Sequence, residues 1–146
     1  MSLKGSAEAL VDVGASAPLR VPFGKRAFVR FGVVERLVVA QSLLPRDVHL
    51  VIVAGHGAGY ASHATGGAVD LTLCRADGDP PADLPCCRCD PVAPAPAAGL
   101  RMLTDALTAA GLVNDVHRWW HWSYGDSSWA LATRAPHARY GPVPEF

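Results

Sequence analysis

Ser62-His63-Ala64-Thr65-Gly66-Gly67-Ala68-Val69-Asp70-Leu71-Thr72-Leu73 is the stretch from which the rest of the chain is read. From Gly67 onward the chain is expected to be extended and the residues alternate. Successive side chains of a strand point to opposite faces, so Ala68, Asp70 and Thr72 are expected on one face and Val69, Leu71 and Leu73 on the other. Asp70 can then face a cleft while its neighbours feed a core. Far downstream, Trp119-Trp120-His121-Trp122 belongs to a second alternating run, with Trp119, His121 and Ser123 on one face and Trp120, Trp122 and Tyr124 on the other. His63, Asp70 and His121 together supply two imidazoles and one carboxylate. Such a set leaves a fourth position open, which suits a catalytic zinc site better than a structural one closed by four protein ligands. H-x6-D followed by a distant His is no standard metal motif, however, and scattered histidines are commonly structural. Spacing alone leaves both readings standing.

The size of the chain suits one domain. At 146 residues, half of them apolar, it can build one core of its own. The formal charge is zero and no run of Lys or Arg occurs, so the footprint of a nucleic-acid binder or an anionic-membrane binder is missing. Glu8 and Asp12 interrupt the opening stretch, and nowhere are there ~18 uninterrupted apolar residues, the length a membrane span requires. These features lead us to expect a soluble cytoplasmic protein. That compartment in turn favours free thiols at Cys74, Cys86, Cys87 and Cys89.

Residues 1–20 lack periodicity and are expected to form a flexible arm ahead of a single domain over residues 21–146. Ala27 to Phe31 reads as a short strand or the lead-in to a helix. Val33, Leu37, Ala40 and Leu44 recur at helical spacing, and Pro45 stops the run, which predicts a helix over 32–44. Val48 to Ala54 is short and β-branched, as a buried strand would be. The glycine-rich loop from Gly55 to Gly59 follows. The proline-rich stretch from Arg75 to Ala97 reads as a loop. Leu100, Leu103, Leu107 and Ala110 predict a second helix over 98–110, with Gly111 at its left-handed end. Gly125-Asp126-Ser127 reads as a hairpin turn into Ser128 to Ala132, and the tail from Pro136 to Phe146 as irregular. Helices and strands of this kind make an α+β fold, a small antiparallel sheet with flanking helices.

The words around the three candidate ligands carry a resemblance. His63, Gly66, Ala68 and Asp70-Leu71-Thr72-Leu73, followed by Trp119-Trp120-His121-Trp122-Ser123-Tyr124-Gly125-Asp126, resemble the zinc D-Ala-D-Ala dipeptidases of the vancomycin-resistance type. Peptidoglycan D,D-carboxypeptidases and the hedgehog-like fold are relatives of that family. Ala40-Gln41 with Leu43-Leu44-Pro45 is similar to its first helix end, and Ala130 to Pro142 to its closing segment, so the likeness spans roughly residues 30–142. It implies a hedgehog/D,D-peptidase-like fold, a Zn2+ cofactor held by His63, Asp70 and His121, and a small-molecule or short-peptide substrate.

Two departures strike the chemistry and not the metal. Where the family reads E-W-W-H, with Glu as the base that deprotonates water, this chain has Arg118. A guanidinium stays protonated at any physiological pH and cannot take that proton. The family's D-G-Y-R-P arginine has no counterpart in Ala54-Gly55-His56-Gly57-Ala58. Arg118 can still stabilise an oxyanion or favour an anionic substrate, and His56 and His117 are the replacement bases to consider, each with a structural reading beside it. Trp119 on the ligand face, Ser62 beside the first ligand, and Cys86, Cys87 and Cys89 are candidate substrate contacts, the cysteines equally readable as ordinary thiols. Three functions then compete: a zinc enzyme with altered chemistry in a biosynthetic setting, a conventional peptidase with a substitute base, and a non-catalytic zinc-binding protein.

Overall fold

A computed structural model describes residues 8–16, 19–22, 24–57, 63–75 and 97–143. In chain order the described elements are β1 (Leu10–Asp12), β2 (Phe28–Arg30), α1 (Phe31–Ser42), β3 (Val48–Ala54), β4 (Ala68–Arg75), α2 (Ala97–Ala109), β5 (Val113–Asp115), β6 (Arg118–Ser123) and α3 (Ser127–Thr133). The fold is α+β: β1 and β2 form an antiparallel pair, and a four-stranded antiparallel sheet runs in the order β3-β4-β6-β5. Within the stretch expected as an arm, Leu10–Asp12 pairs with β2 and Val13 is fully buried. Among the described residues no helix is long and apolar enough to cross a membrane.

Strand alternation divides the sheet into two faces. Val69, Leu71 and Leu73 of β4 meet Leu50 and Ile52 of β3 and Trp122 of β6 in the core, where Leu37 of α1 and Leu103 and Leu107 of α2 pack against them. Each such side chain stabilises the fold by about 1.5–3 kcal/mol relative to exposure. The opposite face of β4 carries Ala68, Asp70, Thr72 and Cys74. A bulge at Val53 of β3 sets Ala54 opposite Asp70 and leaves Val53 exposed. Gln41 joins α1 to the edge strand: its Nε2 donates to Val48 O at 2.8 Å and its Oε1 accepts from Leu50 N at 2.8 Å.

The helix α1 has no side-chain cap of its own at Arg30. Glu8 supplies one instead, its Oε1 accepting from the Gly32 N–H and from the Tyr140 hydroxyl, the latter at 3.0 Å. A carboxylate there also complements the positive end of the helix dipole. Burial, with the Glu8 carboxylate beside it, pushes the Tyr140 hydroxyl well above the usual phenol range. Tyr140 therefore stays a neutral donor.

The segment after β6 differs from the expected hairpin. Asp126 starts α3 rather than a turn between strands, because its Oδ1 accepts from Trp129 N at 2.8 Å and satisfies a helix-end donor. Ala130, Leu131 and Ala132 then continue the helix readily. Gly125 precedes this cap with φ of +79°, and its carbonyl accepts from Arg139 N at 2.7 Å and Tyr140 N at 2.9 Å. A Cβ there would meet Tyr140 Cε2 at 2.5 Å. Gly125→Ala therefore combines backbone strain with overpacking and is expected to destabilise the protein by about 2–4 kcal/mol in urea unfolding. A loss below about 1 kcal/mol would show that Tyr140 is not seated on this turn.

Candidate metal centre

Three separate segments bring His63, Asp70 and His121 together. His63 lies in the turn before β4, Asp70 is the third residue of β4, and His121 lies on β6 directly opposite Asp70 in the antiparallel register. Asp70 Oδ1 is 2.8 Å from His121 Nδ1 and 3.2 Å from His63 Nε2. The two imidazoles stand edge to face with ring centroids 5.1 Å apart, and one donor atom from each of the three residues lies within 4.8 Å of the others. Both histidines are buried, while the Asp70 side chain keeps 14% of its exposure, so the cluster is roofed but reachable. Burial acts to raise the Asp70 carboxyl. Hydrogen bonds from the His121 and His63 rings, and the positive charge those rings can carry, outweigh it and hold the carboxyl well below the usual carboxylate range. The donor set is then a permanent carboxylate flanked by two imidazoles, a chemistry that fits a divalent metal ion.

The local path of β6 is unusual. Asn114 pairs with Trp122, yet the next residue, Asp115, pairs with Arg118, so β6 carries three extra residues between those pairs. Asn114 fills the bulge. Its Nδ2 donates to Arg118 O at 3.1 Å, Trp119 O at 3.2 Å and His121 O at 3.0 Å. Reaching all three from one nitrogen draws the carbonyls of Arg118 and His121 much closer than the ~10 Å that three residues span in an extended strand. Trp122 Nε1 also donates to Trp119 O at 2.9 Å, so a buried indole finds its partner in the same bulge.

Arg118 is engaged by a neighbour that the sequence reading did not consider. Its Nε and Nη2 donate to Asp115 Oδ2 at 2.9 and 2.8 Å. The backbone N–H of His117 and the Arg118 guanidinium hold the Asp115 carboxyl below its usual range. His117 stands exposed in the turn between β5 and β6, its N–H donating to Asp115 Oδ1 at 2.9 Å. His56 is half-buried in the turn after β3, with its N–H on Phe28 O at 2.8 Å. Trp119 is partly buried against the core and meets Trp120 edge to face. Ser62, Cys86, Cys87 and Cys89 lie outside the described residues.

Cys74 corrects one expectation. It is disulfide-bonded, not a free thiol. The expectation came from the compartment, whereas pairing is decided by which thiols the fold brings within bonding distance. Thr72 was also passed over. Its hydroxyl is buried on the Asp70 face and has no hydrogen-bond partner among the described residues, which is costly for a polar group. No local signal marks it, because the residue reads as one more member of an alternating strand. No turn signal marks the β5–β6 hairpin either, because Val116-His117 is not a pair that two-residue turns favour.

The concavity of about 360 Å³ between α3 and the chain after it, lined by Leu131, Arg134 and His137 among others, contains none of the three donors. Fold and site thus define an α+β protein with a candidate His-Asp-His metal centre. Neither a scan of protein-family models nor a search of curated proteins gives a match to this chain.

Asn114→Ala removes the amide that holds the bulge together. The expected cost is about 1–3 kcal/mol from the loss of the Asn114 amide at Arg118 O and His121 O, Trp119 O keeping the Trp122 indole, measured by chemical denaturation. A neutral substitution would show that the bulge is held by strand pairing alone.

Proposed function

We propose that this protein is a zinc-dependent enzyme on a D-Ala-D-Ala dipeptidase-like scaffold, of hedgehog/D,D-peptidase type, with chemistry altered from that family. The observation that carries the reading is the convergence of His63, Asp70 and His121 around one carboxylate oxygen. Two imidazoles, one carboxylate and no thiolate suit zinc with a position left for a ligand. Zinc so held supplies Lewis acidity that polarises a carbonyl and acidifies water. The two sequence words quoted above support the family likeness.

Arg118 supports altered chemistry. Its guanidinium cannot act as the missing base, and its pairing with Asp115 anchors it as a fixed cation. In this reading Arg118 binds an anionic group of a small-molecule or short-peptide substrate bearing an amide or carbonyl. Trp119, Ser62, Cys86, Cys87 and Cys89 are the substrate contacts proposed in this reading, and Thr72 adds a hydroxyl on the Asp70 face. His56 and His117 are the candidates for proton transfer. The zinc domain of this reading takes in residues 21–146 together with Glu8 and β1, which the cap on α1 and the pairing with β2 join to it. The cytoplasmic setting belongs to the same reading, and the Cys74 disulfide weighs against its reducing premise.

Elemental analysis should find about one zinc per chain, and His121→Ala should abolish it. Stoichiometric zinc in that variant would mean a different ligand set. The zinc-loaded protein should not hydrolyse D-Ala-D-Ala, and clear turnover would favour a conventional peptidase. Arg118→Glu discriminates further: gain of dipeptidase activity in that variant, with no reaction found for the parent on carboxylate-bearing amides, would favour a non-catalytic zinc protein.

A further inference from the structure

The turn that carries His63 has three of its carbonyls held from outside it. His63 O accepts from Gly66 N at 3.3 Å and closes the turn on itself. Ala64 O accepts from Val143 N at 2.8 Å, Thr65 O from Arg30 Nε at 2.8 Å, and Gly66 O from Arg30 N at 2.9 Å. Two consecutive carbonyls of the turn thus belong to one residue, Arg30, and a third to the C-terminal segment. Packing is equally close, since a Cβ on Gly66 would meet Leu10 Cδ2 at 2.6 Å and Arg30 Cγ at 3.3 Å.

Arg30 is 3% exposed. Its Nη1 donates to Glu8 O at 2.6 Å and its Nη2 to Gly141 O at 3.1 Å, while Cζ lies 5.4 Å from the Tyr140 ring centroid. One guanidinium therefore joins the segment before β1, the His63 turn and the segment that carries Gly141. Burying such a cation is costly, and an apolar side chain of similar volume would fill the space with less penalty. An apolar side chain would leave the Thr65, Glu8 and Gly141 carbonyls without these donors. The planar fork of an arginine can reach three carbonyls in fixed directions, which a lysine ammonium on a flexible stem does not reproduce.

We propose that Arg30 is the positioning residue of the metal centre. It sets the His63 turn against β4, and through Glu8 and Gly141, with Val143 N on Ala64 O beside them, metal affinity depends on the docking of both flanking segments. The inference rests on the zinc reading of His63, Asp70 and His121.

The test compares the full chain with Arg30→Lys, Val143→Pro and Leu103→Ala. Val143→Pro deletes the N–H that binds Ala64 O in a segment already flanked by Pro142 and Pro144, and Leu103→Ala opens a cavity in α2 as a stability control. Zinc affinity is read by competition with a chromogenic chelator, the coordination geometry by the visible absorption of the cobalt-loaded protein, and folding by circular dichroism below the melting transition. Arg30→Lys is expected to weaken zinc by about tenfold or more, the usual scale for outer partners of metal ligands, and to change the cobalt spectrum while the chain stays folded. Val143→Pro should move both readouts in the same direction by a smaller factor, and it decides the matter if Arg30→Lys does not fold. Leu103→Ala should lower the melting temperature and leave both readouts as in the parent. Parental affinity and spectrum in a folded Arg30→Lys or Val143→Pro, or equal shifts in Leu103→Ala, would overturn the proposal. A parent protein that binds neither zinc nor cobalt would instead overturn the zinc reading beneath it.

Discussion

The antiparallel pairing of β4 with β6 is the constraint on which the site depends. It sets Asp70 opposite His121 and Val69 opposite Trp122, so one register places the ligands on one face and the core residues on the other. A slip of one residue would exchange the faces and bury the carboxylate among Leu71, Leu73 and Trp122, where an unpaired charge is very costly. The hydrophobic cost of exposing Trp122 and the electrostatic cost of burying Asp70 thus enforce the same register. The core chooses the site geometry, and the site reinforces the core.

Around that pairing the protein uses polar side chains to hold backbone rather than one another. Asn114 gathers three carbonyls of the β6 bulge, Gln41 brackets the edge of β3, and Arg30 grips the turn before β4. Each stands where regular ladder bonding stops and a carbonyl would otherwise lack a donor. Glu8 serves the same end from the donor side by capping α1, and Tyr140 locks that carboxylate. Irregular backbone of this kind lets His63 and His121 approach Asp70 from different directions. Arg118 is anchored by Asp115 beside the bulge.

Much of the framework was legible in residue order. Val48–Ala54 and Ala68–Arg75 are strands as their alternation and β-branching predict, and Phe31–Ser42 and Ala97–Ala109 lie within a residue or two of the predicted helices. Gly111 takes the left-handed conformation expected of it. These are short-range properties, set by which face each side chain must bury. Val113–Asp115 was missed because three residues carry too little pattern, and Asp126 was read as a hairpin turn because Gly-Asp-Ser suits a turn and a helix start alike. The choice went to the helix when Trp129 N found the Asp126 carboxylate.

By itself the sequence determined the α+β alternation, the two faces of β4 and the residue types a metal would need. The tertiary structure alone decided that Asp70 faces His121, that His63 reaches the same oxygen, that Arg118 is bound by Asp115, that Cys74 is in a disulfide, and that Arg30 joins three distant segments. Periodicity is written among neighbours and can be read there. A hydrogen bond between residues far apart in the chain leaves no local trace, and it exists only after the core has fixed where each strand and turn must lie.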